Sequence, residues 1–526
     1  MNEKIKDKKI RFGQFLTSKE IADFMTNLST KPKSAKVLEP SAGQGVFIQS
    51  LIDKGFENIN GVELDEQFFN LLQDNFPKTN FQLVDFLKTS INEKYDLIIG
   101  NPPYVQWNHM ELEIREKLSK DIFWSKYSNG EWDLLYAFII WSIEKLNKNG
   151  ELIFIVPYNW FNSTFGKSLR QYLVDNGYFD IILHFGELKL FGDCFPNNII
   201  FKYIKSKSKT KPEMKVCEFP ERKANIPEIL KRINSFLFEN KSKDNGLKCF
   251  KMQNFESPDN WFLGNKEDVE FLNKLEKACS NKNGDYTKVS DYFNVSVGMV
   301  SGFDEAFILT NSDKFSEKEN KVIFDFVKAK NCTRFIVDGK TKYIFADEIN
   351  SEEELKDLSN IYNRLYLYKE RLAKRYLSKN REWWNWATVR NYEIFKLNLD
   401  KPKIFVPCID RALKPRFSYT TEPVYGSGDV LMITKAGDVK EDLLYVLAWL
   451  NSESINKWYR LKGSRKGHRT QYTQAYVSKI PFRQIDWSNE NEIGIYNKII
   501  ELSKKLINNE NEQFEIELDN LISNLI

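Results

Sequence analysis

The sequence is poor in the residues that build metal centres and has no apolar run long enough to cross a membrane. Three histidines occur in 526 residues, and the six cysteines are scattered, with no CxxC pair and no histidine nearby. This pattern argues against a zinc site and a disulfide framework and fits a reducing cytoplasm. No run approaches the roughly 18 apolar residues of a membrane span, and no window resembles a secretory leader. We expect a cytoplasmic protein with no metal and no membrane partner.

Two phosphate-binding motifs are also missing. The chain has neither GxGxxG, which binds a dinucleotide pyrophosphate, nor GxxxxGK[ST], which cradles nucleotide phosphates. A dinucleotide-dependent oxidoreductase is therefore excluded. A cofactor that carries adenosine is expected to lack a pyrophosphate.

Charge is unevenly distributed, although the net charge is only +4. Residues 1–200 carry 22 Lys and Arg against 26 Asp and Glu, whereas residues 201–526 carry 55 against 47. A basic rear half favours contact with a polyanion there, although the count by itself decides little.

Strand-like and helix-like segments alternate over residues 1–205. This pattern predicts an α/β fold, a mostly parallel sheet with helices on both faces, which binds ligands beyond the carboxyl ends of its strands. A basic, polar stretch follows, so we expect a linker over 206–260 and a mixed α+β domain over 261–526 with a helical tail after Trp487. The predicted strands lie near residues 36–39, 59–63, 80–84, 95–99, 151–157, 180–185 and 198–204.

Acidic residues at the ends of successive strands indicate an adenosine site. Gly43 and Gly45 form a tight turn after the first strand, which lets a ligand approach the backbone. Glu63 ends the second strand, where a carboxylate can accept both hydroxyls of a ribose. Asp85 ends the third strand, where it can accept from an adenine amino group with Phe86 beside the ring.

The tetrapeptide Asn101-Pro102-Pro103-Tyr104 follows the fourth strand. Two prolines stiffen the turn and remove backbone donors, so that nearby carbonyls remain acceptors. The Asn101 amide oxygen and the Pro102 carbonyl can then both accept from one planar amino group. Two such bonds localise the nitrogen lone pair for attack on a methyl sulfonium, and Tyr104 is placed to stack on the base.

The order of these motifs resembles that of gamma-subclass amino-methyltransferases, the N6-adenine enzymes of type II restriction–modification systems, with TaqI-like members the nearest pattern. The resemblance covers residues 11–205 and includes Phe15–Ser18, Trp132–Phe138 and Gly150–Pro157. It implies a Rossmann-like S-adenosylmethionine-dependent catalytic domain over 1–205, followed by a target recognition domain. The cofactor-binding residues that it implies are Thr17, Glu39, Pro40, Ser41, Ala42, Gly43, Glu63, Leu64, Asp85, Phe86, Pro103 and Phe138.

Members of this family close a second aromatic ring over the flipped base. Two phenylalanines in the segment before the strand near 198–204 are candidates for that ring. Counting back from the strand favours Phe191 as a catalytic residue beside Asn101, Pro102 and Tyr104, and Phe195 stays an alternative.

Two basic, aromatic segments of the rear half are candidate DNA contacts. The first, Trp458–Tyr476, combines basic, amide and aromatic side chains with glycines. Such side chains can bind backbone phosphates and base edges. The second, Arg371–Arg390, is predicted equally well as DNA contact or as a solvated basic helix with core tryptophans. The DNA-binding residues predicted in the first segment are Arg460, Lys462, Arg465, Lys466, Arg469, Gln471 and Tyr472.

These features predict a site-specific DNA adenine-N6 methyltransferase that acts on a flipped-out adenine in double-stranded DNA. An N-methyltransferase for RNA or protein glutamine, and a non-catalytic DNA specificity module, stay as alternatives. The long C-terminal region favours DNA, because a DNA enzyme needs a large reader. A separately encoded restriction endonuclease as partner and a solitary role are both open.

Overall fold

The chain divides into two compact units, Met1–Lys266 and Glu267–Ile526. The computed structural model describes residues 17–526 apart from several short gaps, and residues 108, 117, 465 and 466 are described by their backbone only. The residues outside the description are 1–16, 91, 111, 121–122, 128–131, 164, 187, 189, 191–196, 220–224, 240–246, 260, 282–283, 285, 311–313, 378–380, 467–468 and 510.

A nine-stranded mixed sheet forms the centre of the first unit. Its strands are β1 (Lys36–Glu39), β2 (Asn58–Glu63), β3 (Asn80–Leu83), β4 (Tyr95–Gly100), β5 (Leu146–Pro157), β6 (Gly177–His184), β7 (Asn198–Lys205), β8 (Met214–Glu218) and β9 (Lys248–Met252). They lie in the order β3-β2-β1-β4-β5-β7-β6-β8-β9. The first five are mutually parallel, and β7 runs antiparallel to both of its neighbours. All seven predicted strands are confirmed.

Helices cover both faces of this sheet. Successive residues of a strand point to opposite faces, so Ile98 of β4 packs into one apolar cluster while Leu97 and Ile99 pack into the other. The predicted arrangement of helices on both faces is therefore confirmed. The helices of the unit are α1 (Lys19–Asn27), α2 (Val46–Asp53), α3 (Glu66–Asn75), α4 (Leu112–Lys120), α5 (Leu134–Glu144), α6 (Lys167–Asn176) and α7 (Ile226–Glu239).

The structure differs from the predicted linker over 206–260. This segment contributes β8, α7 and β9, and both strands join the sheet beside β6. Ile229, Ile233 and Leu237 of α7 are buried in the same apolar cluster as α1 and α2. The two strands are short and carry lysines, as strands at the edge of a sheet commonly do, and this polar pattern resembles that of a linker.

A disulfide joins Cys217 to Cys249, contrary to the expectation that the cysteines form no such bond. The two residues are direct partners in the antiparallel pair of β8 and β9. No sequence pattern indicates this bond, because 32 residues separate the two cysteines and only the strand register makes them neighbours.

The second unit combines three small sheets with helices. Its strands are β10 (Phe293–Val297), β11 (Ile323–Val327), β12 (Phe335–Ile336), β13 (Thr341–Ile344), β14 (Lys403–Pro407), β15 (Ile409–Asp410), β16 (Ser418–Thr420), β17 (Tyr425–Gly426), β18 (Val430–Lys435), β19 (Ser464–Lys466) and β20 (Arg469–Gln471). The sheets have the orders β10-β18-β14-β16-β12, β13-β11-β17 and β15-β20-β19.

Thirteen short and long α-helices complete the described part of this unit. The first begins at Lys266, and the last two form the predicted helical tail. They are α8 (Lys266–Ala278), α9 (Val289–Tyr292), α10 (Asp304–Phe307), α11 (Glu317–Asn320), α12 (Glu352–Asp357), α13 (Ser359–Tyr366), α14 (Lys369–Ala373), α15 (Tyr392–Leu397), α16 (Leu443–Asn451), α17 (Glu453–Lys462), α18 (Gln474–Val477), α19 (Glu490–Asn508) and α20 (Glu512–Ser523). The predicted mixed α+β architecture is confirmed.

The segment Arg371–Arg390 supplies core residues and internal hydrogen bonds. Trp384 and Trp386 are buried in the main apolar cluster of the second unit. Arg375 donates to the carbonyls of Leu372, Trp383 and Asn385. The described side chains therefore favour the structural interpretation of this segment over DNA contact.

Trp386→Ala is expected to lower the free energy of unfolding by about 3–5 kcal/mol, as for other large buried side chains. The indole is fully buried, and its Nε1 donates to the Ile344 carbonyl over 2.9 Å. Chemical denaturation measures the change, and Trp383→Ala at a partly exposed position is the matched control. Equal losses in both variants would contradict the assignment of Trp386 to the core.

Candidate functional site

A cavity of about 330 Å³ lies where the carboxyl ends of β1 to β4 meet. Ten of the predicted site residues line it, although they come from separate stretches of the chain. Parallel strands bring their carboxyl ends to one edge of the sheet, which explains the convergence. These ten residues are Pro40, Ser41, Gly43, Glu63, Leu64, Asp85, Phe86, Asn101, Pro103 and Phe138.

The Glu63 carboxylate holds the loops around the cavity together. Its Oε2 accepts from the Gly43 amide over 2.6 Å, and its Oε1 accepts from the amides of Leu64 and Asp65 over 2.8 and 2.9 Å. Gly43 lies in the turn after β1 and has a positive φ of 53°, a backbone conformation that favours glycine. These bonds use three of the roughly four acceptor positions of a carboxylate. Glu63 thus retains capacity for about one further donor, fewer than the two ribose hydroxyls expected.

Two phenylalanine rings lie beside a carboxylate in the lining of the cavity. The Phe86 and Phe138 rings lie 5.1 Å apart between centroids and are tilted by 38°. Asp85 precedes a short 3-10 helix at Phe86–Lys88 and caps it, since its Oδ1 accepts from the Leu87 amide over 3.0 Å. An aromatic ring with an exocyclic amino group fits such a combination, because the carboxylate accepts from the amino group while the phenylalanines contact the ring.

Hydrogen bonds from three directions hold Asn101 in place. Its Nδ2 donates to Thr17 Oγ1 over 3.1 Å, and its carbonyl accepts from Ser41 Oγ over 3.2 Å. Its Oδ1 accepts from the Tyr104 hydroxyl, which also donates toward the Ile155 carbonyl over 2.6 Å. The sequence predicts Asn101 Oδ1 as an outward acceptor, whereas here the oxygen faces a tyrosine hydroxyl. Buried acceptors are rarely left unsatisfied, which is the physical reason for this contact.

Tyr104 is partly buried against the apolar cluster that contains α5. Burial raises the pKa of its hydroxyl well above the usual value, so this group stays protonated and keeps its proton for donation. No described residue donates to the Pro102 carbonyl, the second predicted acceptor.

Three residues predicted to bind the cofactor do not line the cavity: Thr17, Glu39 and Ala42. Thr17 acts on the site through Asn101. Glu39 is buried, and burial first and the nearby charge of Glu63 second raise the pKa of its carboxyl well above the usual value. Ala42 is buried and pairs its amide with the Val62 carbonyl, closing the turn.

Sequence reasoning missed a larger group of cavity residues. Six lie close in sequence to the predicted acids Glu63 and Asp85, five come from the segment between Val105 and Ile114, and Leu134 begins α5. The acids themselves were a signal for the first set, whereas the second set carries no motif. The missed residues are Val62, Asp65, Phe68, Val84, Leu87, Lys88, Val105, His109, Met110, Glu113, Ile114 and Leu134.

Phe191, the predicted second stacking ring, and Phe195, its alternative, lie outside the described residues. Among the residues that the structure does describe, no three His, Cys, Asp or Glu side chains form a group able to hold a metal ion. No described helix is both long and apolar enough to span a bilayer.

The predicted DNA-binding residues of the second unit take different positions. Tyr472 is buried against Phe417 and Tyr459, which makes it a core residue. Lys462 is paired with Glu276 over 2.5 Å, and Arg460 donates to the Leu413 carbonyl over 2.6 Å.

The remaining predicted DNA contacts lie on a hairpin. Gln471 and Arg469 belong to β20, and Arg465 and Lys466 belong to the neighbouring β19. Arg469 lines a second cavity, and the side chains of Arg465 and Lys466 lie outside the description. The buried Tyr472 differs from the prediction because an aromatic residue beside basic residues gives no sign of which face it occupies.

Comparison with known proteins decides the family. Residues 17–191 match the Eco57I restriction-modification methylases, and residues 325–482 match the TaqI-like C-terminal specificity domain. The type II methyltransferase M.HindII of Haemophilus influenzae is 33% identical over 523 residues, covering 95% of each chain. This chain belongs to the type II methyltransferases of restriction–modification systems.

Other type II methyltransferases extend the similarity. M.HincII of Haemophilus influenzae is 33% identical over 514 residues, again covering 95% of each chain. M.MjaIV of Methanocaldococcus jannaschii is 38% identical over 245 residues, which cover 45% of this chain and 80% of M.MjaIV. The similarity to full-length members over nearly the whole chain makes this type II methyltransferase a DNA methyltransferase.

Solved structures share the fold at low identity. The type IIL restriction-modification enzyme MmeI, solved in complex with DNA, gives a TM-score of 0.64 at 14% identity, covering 96% of this chain and 72% of MmeI. A DrdV–DNA complex gives 0.51 at 14% identity, covering 95% of this chain and 57% of that one. The expected fold class, a methyltransferase α/β domain followed by a mixed α+β specificity domain, is confirmed, and a methyltransferase of this class implies S-adenosylmethionine as methyl donor.

Proposed function

We propose that this type II methyltransferase transfers a methyl group from S-adenosylmethionine to the exocyclic N6 of an adenine flipped out of duplex DNA. The observation that carries the proposal is the placement of Asn101 beside the cavity that holds Asp85, Phe86 and Phe138. The residues around Asp85 suit an adenosine and Asn101 suits a planar amine, so the methyl donor and the target base would meet in one cavity.

The residues present fit the cofactor. The cavity volume lies within the roughly 300–1,000 Å³ typical of ligand sites. Asp85 would accept from the adenine amino group, Phe86 and Phe138 would contact the ring, and Glu63 would accept from a ribose hydroxyl. When bound, S-adenosylmethionine supplies a methyl group already activated as a sulfonium.

The protein's part in the reaction is to hold the target nitrogen. Asn101 Oδ1 and the Pro102 carbonyl accept from the two amino hydrogens, which draws the lone pair out of the aromatic ring. Thr17 fixes the amide so that Oδ1, and not Nδ2, faces the amine. The Tyr104 hydroxyl must first leave Asn101 Oδ1, and Tyr104 would then stack on the base. Extrusion of the base costs a few kcal/mol, which aromatic stacking offsets in part.

Tyr104→Phe is expected to retain methyl transfer, with KM for DNA within about threefold of wild type. The ring that stacks is kept, and Asn101 Oδ1 no longer has the hydroxyl as a competitor. Tyr104→Ala removes the ring and should raise KM by about 5- to 150-fold, from a stacking energy of about 1–3 kcal/mol per base. Steady-state kinetics on duplex DNA checks both, and a Tyr104→Phe variant as poor as Tyr104→Ala would contradict stacking as the role of the ring.

The direct test is to identify the product. DNA from a host that expresses the chain is digested and analysed for methylated nucleosides, and its methylated positions are sequenced. N6-methyladenine at one recurrent sequence is the expected result. N4-methylcytosine instead would overturn the adenine assignment, since the planar amino group of cytosine presents similar geometry to Asn101. 5-Methylcytosine, which is methylated on carbon, would contradict the amine mechanism itself.

A second candidate, methylation of RNA or of a protein glutamine, shares the same amine-binding chemistry. The TaqI-like specificity domain over 325–482 favours DNA. Incubation of the purified protein with labelled cofactor and with DNA, RNA or protein separates the three substrates.

A further inference from the structure

The second cavity of the structure lies in the specificity domain and is lined largely by arginines. It has a volume of about 610 Å³, and its lining consists of Ile409, Asp410, Arg411, Ala412, Arg416 and Arg469. Three of these residues are arginines and one is an aspartate, and their contacts show which charges are compensated inside the protein.

Arg416 is neutralised within the fold. Its guanidinium pairs with Asp410 over 2.9 Å, and Asp410 is only 2% exposed. It also donates to the Cys332 carbonyl over 2.9 Å. Asp410 in turn caps the loop, because its Oδ1 accepts from the Ala412 amide over 3.0 Å. This pair therefore builds the wall of the cavity and leaves no net charge.

Arg411 and Arg469 have no such compensation. Neither side chain forms a hydrogen bond or an ion pair with any described residue. β15 pairs with β20, Ile409 with Gln471 and Asp410 with Thr470; Arg411 follows this paired segment, Arg469 precedes it, and both line the same cavity. Two uncompensated cations in one cavity repel each other.

The strand register extends this arrangement to a third basic residue. β19 pairs with β20 so that Lys466 lies opposite Arg469. Arg411, Arg469 and Lys466 thus come from three adjacent chain segments. This concentration of basic residues favours an anion at that place.

The loop that carries Arg411 is held rigidly. The Leu413 carbonyl accepts from Arg460 and Asn456, and Lys414 pairs with Glu515 over 2.8 Å. The Leu413 side chain is 83% exposed at the tip of this loop. A rigid loop loses little conformational entropy when a ligand binds, which favours tight contact.

We propose that Arg411 and Arg469 clamp one backbone phosphate of the DNA substrate. A phosphodiester carries the negative charge that the two uncompensated guanidiniums lack, and two planar forks can bind its oxygens together. A guanine edge is neutral and would leave the repulsion between the arginines in place, so the phosphate is the better match. This inference rests on the proposed DNA substrate and adds Arg411 to the residues expected to bind it.

The test uses the full chain with both arginines replaced, Arg411→Gln together with Arg469→Gln. Duplexes with and without the methylated sequence are titrated at salt concentrations between about 50 and 200 mM. The expected result is an affinity about 10- to 100-fold weaker for both duplexes, with the slope of log K against log salt reduced in magnitude by about 1.

The matched control removes the same two charges elsewhere in the unit, with Lys498→Gln and Lys504→Gln on exposed positions of α19. It should bind DNA as wild type does. An equal loss in the control would reduce the effect to net charge and overturn the clamp.

Thermal unfolding separates binding from folding. Removal of two uncompensated like charges from one cavity should leave Tm unchanged or higher, so a clearly lower Tm would make the pair structural and overturn the proposal. A loss confined to the methylated sequence, with relaxed sequence choice, would instead assign the arginines to base reading. If wild type methylates DNA while the double variant keeps its affinity and salt slope, the clamp fails and the proposed function stands. If wild type does not methylate DNA, the proposed function itself fails.

Discussion

Asn101→Ala is expected to reduce kcat for methyl transfer by about 10²- to 10³-fold, the range found when one preorganised electrostatic partner of a transition state is removed. The alanine cannot accept from the target amine, so the nitrogen lone pair stays delocalised in the ring. Dissociation constants for S-adenosylmethionine should change less than about threefold, because the residues proposed to bind it are separate side chains. Single-turnover kinetics and equilibrium cofactor binding measure the two effects.

The effect of this substitution on structure is expected to be small but must be controlled. Asn101 Nδ2 bonds to Thr17, and the Tyr104 hydroxyl retains the Ile155 carbonyl as partner after Oδ1 is lost. Asn75→Ala, an exposed asparagine at the end of α3, is the matched control and should be fully active. Loss of cofactor binding in Asn101→Ala would give Asn101 a structural role and contradict the assignment.

Asp85→Asn is expected to weaken binding of S-adenosylmethionine by about 10- to 150-fold, from the 1.5–3 kcal/mol of a hydrogen bond to a charged group. Asparagine tests the carboxylate more selectively than alanine would, because its amide oxygen can still accept from the Leu87 amide and cap the short helix. The new NH₂ group would face the amino group of the cofactor adenine, so two donors would oppose each other. Isothermal titration with S-adenosylmethionine measures the loss.

Two further measurements decide what a weaker binding means. Asp74→Asn, at an exposed position of α3, should bind the cofactor as wild type does. At saturating cofactor Asp85→Asn should recover most of the wild-type kcat, since Asp85 contacts no reacting atom. An unchanged dissociation constant would remove Asp85 from the cofactor site, and a lower Tm would indicate loss of the cap instead.

Local patterns were sufficient for the catalytic half of the fold. Most strands over 36–205 are buried on both faces and are apolar runs, whereas β3 is partly exposed, and α1, α2 and α6 each bury one apolar face. The acids and Asn101 could be placed at one edge, because each follows a strand directly and parallel strands share a carboxyl edge. The last two strands of the sheet, β8 and β9, were not predicted, because short strands with lysines resemble a linker.

Contacts between distant segments could not be predicted in this way. The bond from Tyr104 to Asn101, the bonds from three loop amides to Glu63 and the burial of Tyr472 depend on how loops and strands pack. Tyr472 resembles a DNA-contacting aromatic in its sequence context, and its neighbours Phe417 and Tyr459 make it part of the core.

The α/β class of the first unit and the acids and amide of its cavity could be predicted from the sequence. These follow from short-range hydrophobic periodicity and from residues that directly follow strands. Tertiary contacts were needed to show which of these groups already have partners, that Cys217 meets Cys249, and that Arg411 and Arg469 line one cavity. Strand register sets those pairings, and register depends on contacts between segments far apart in the chain.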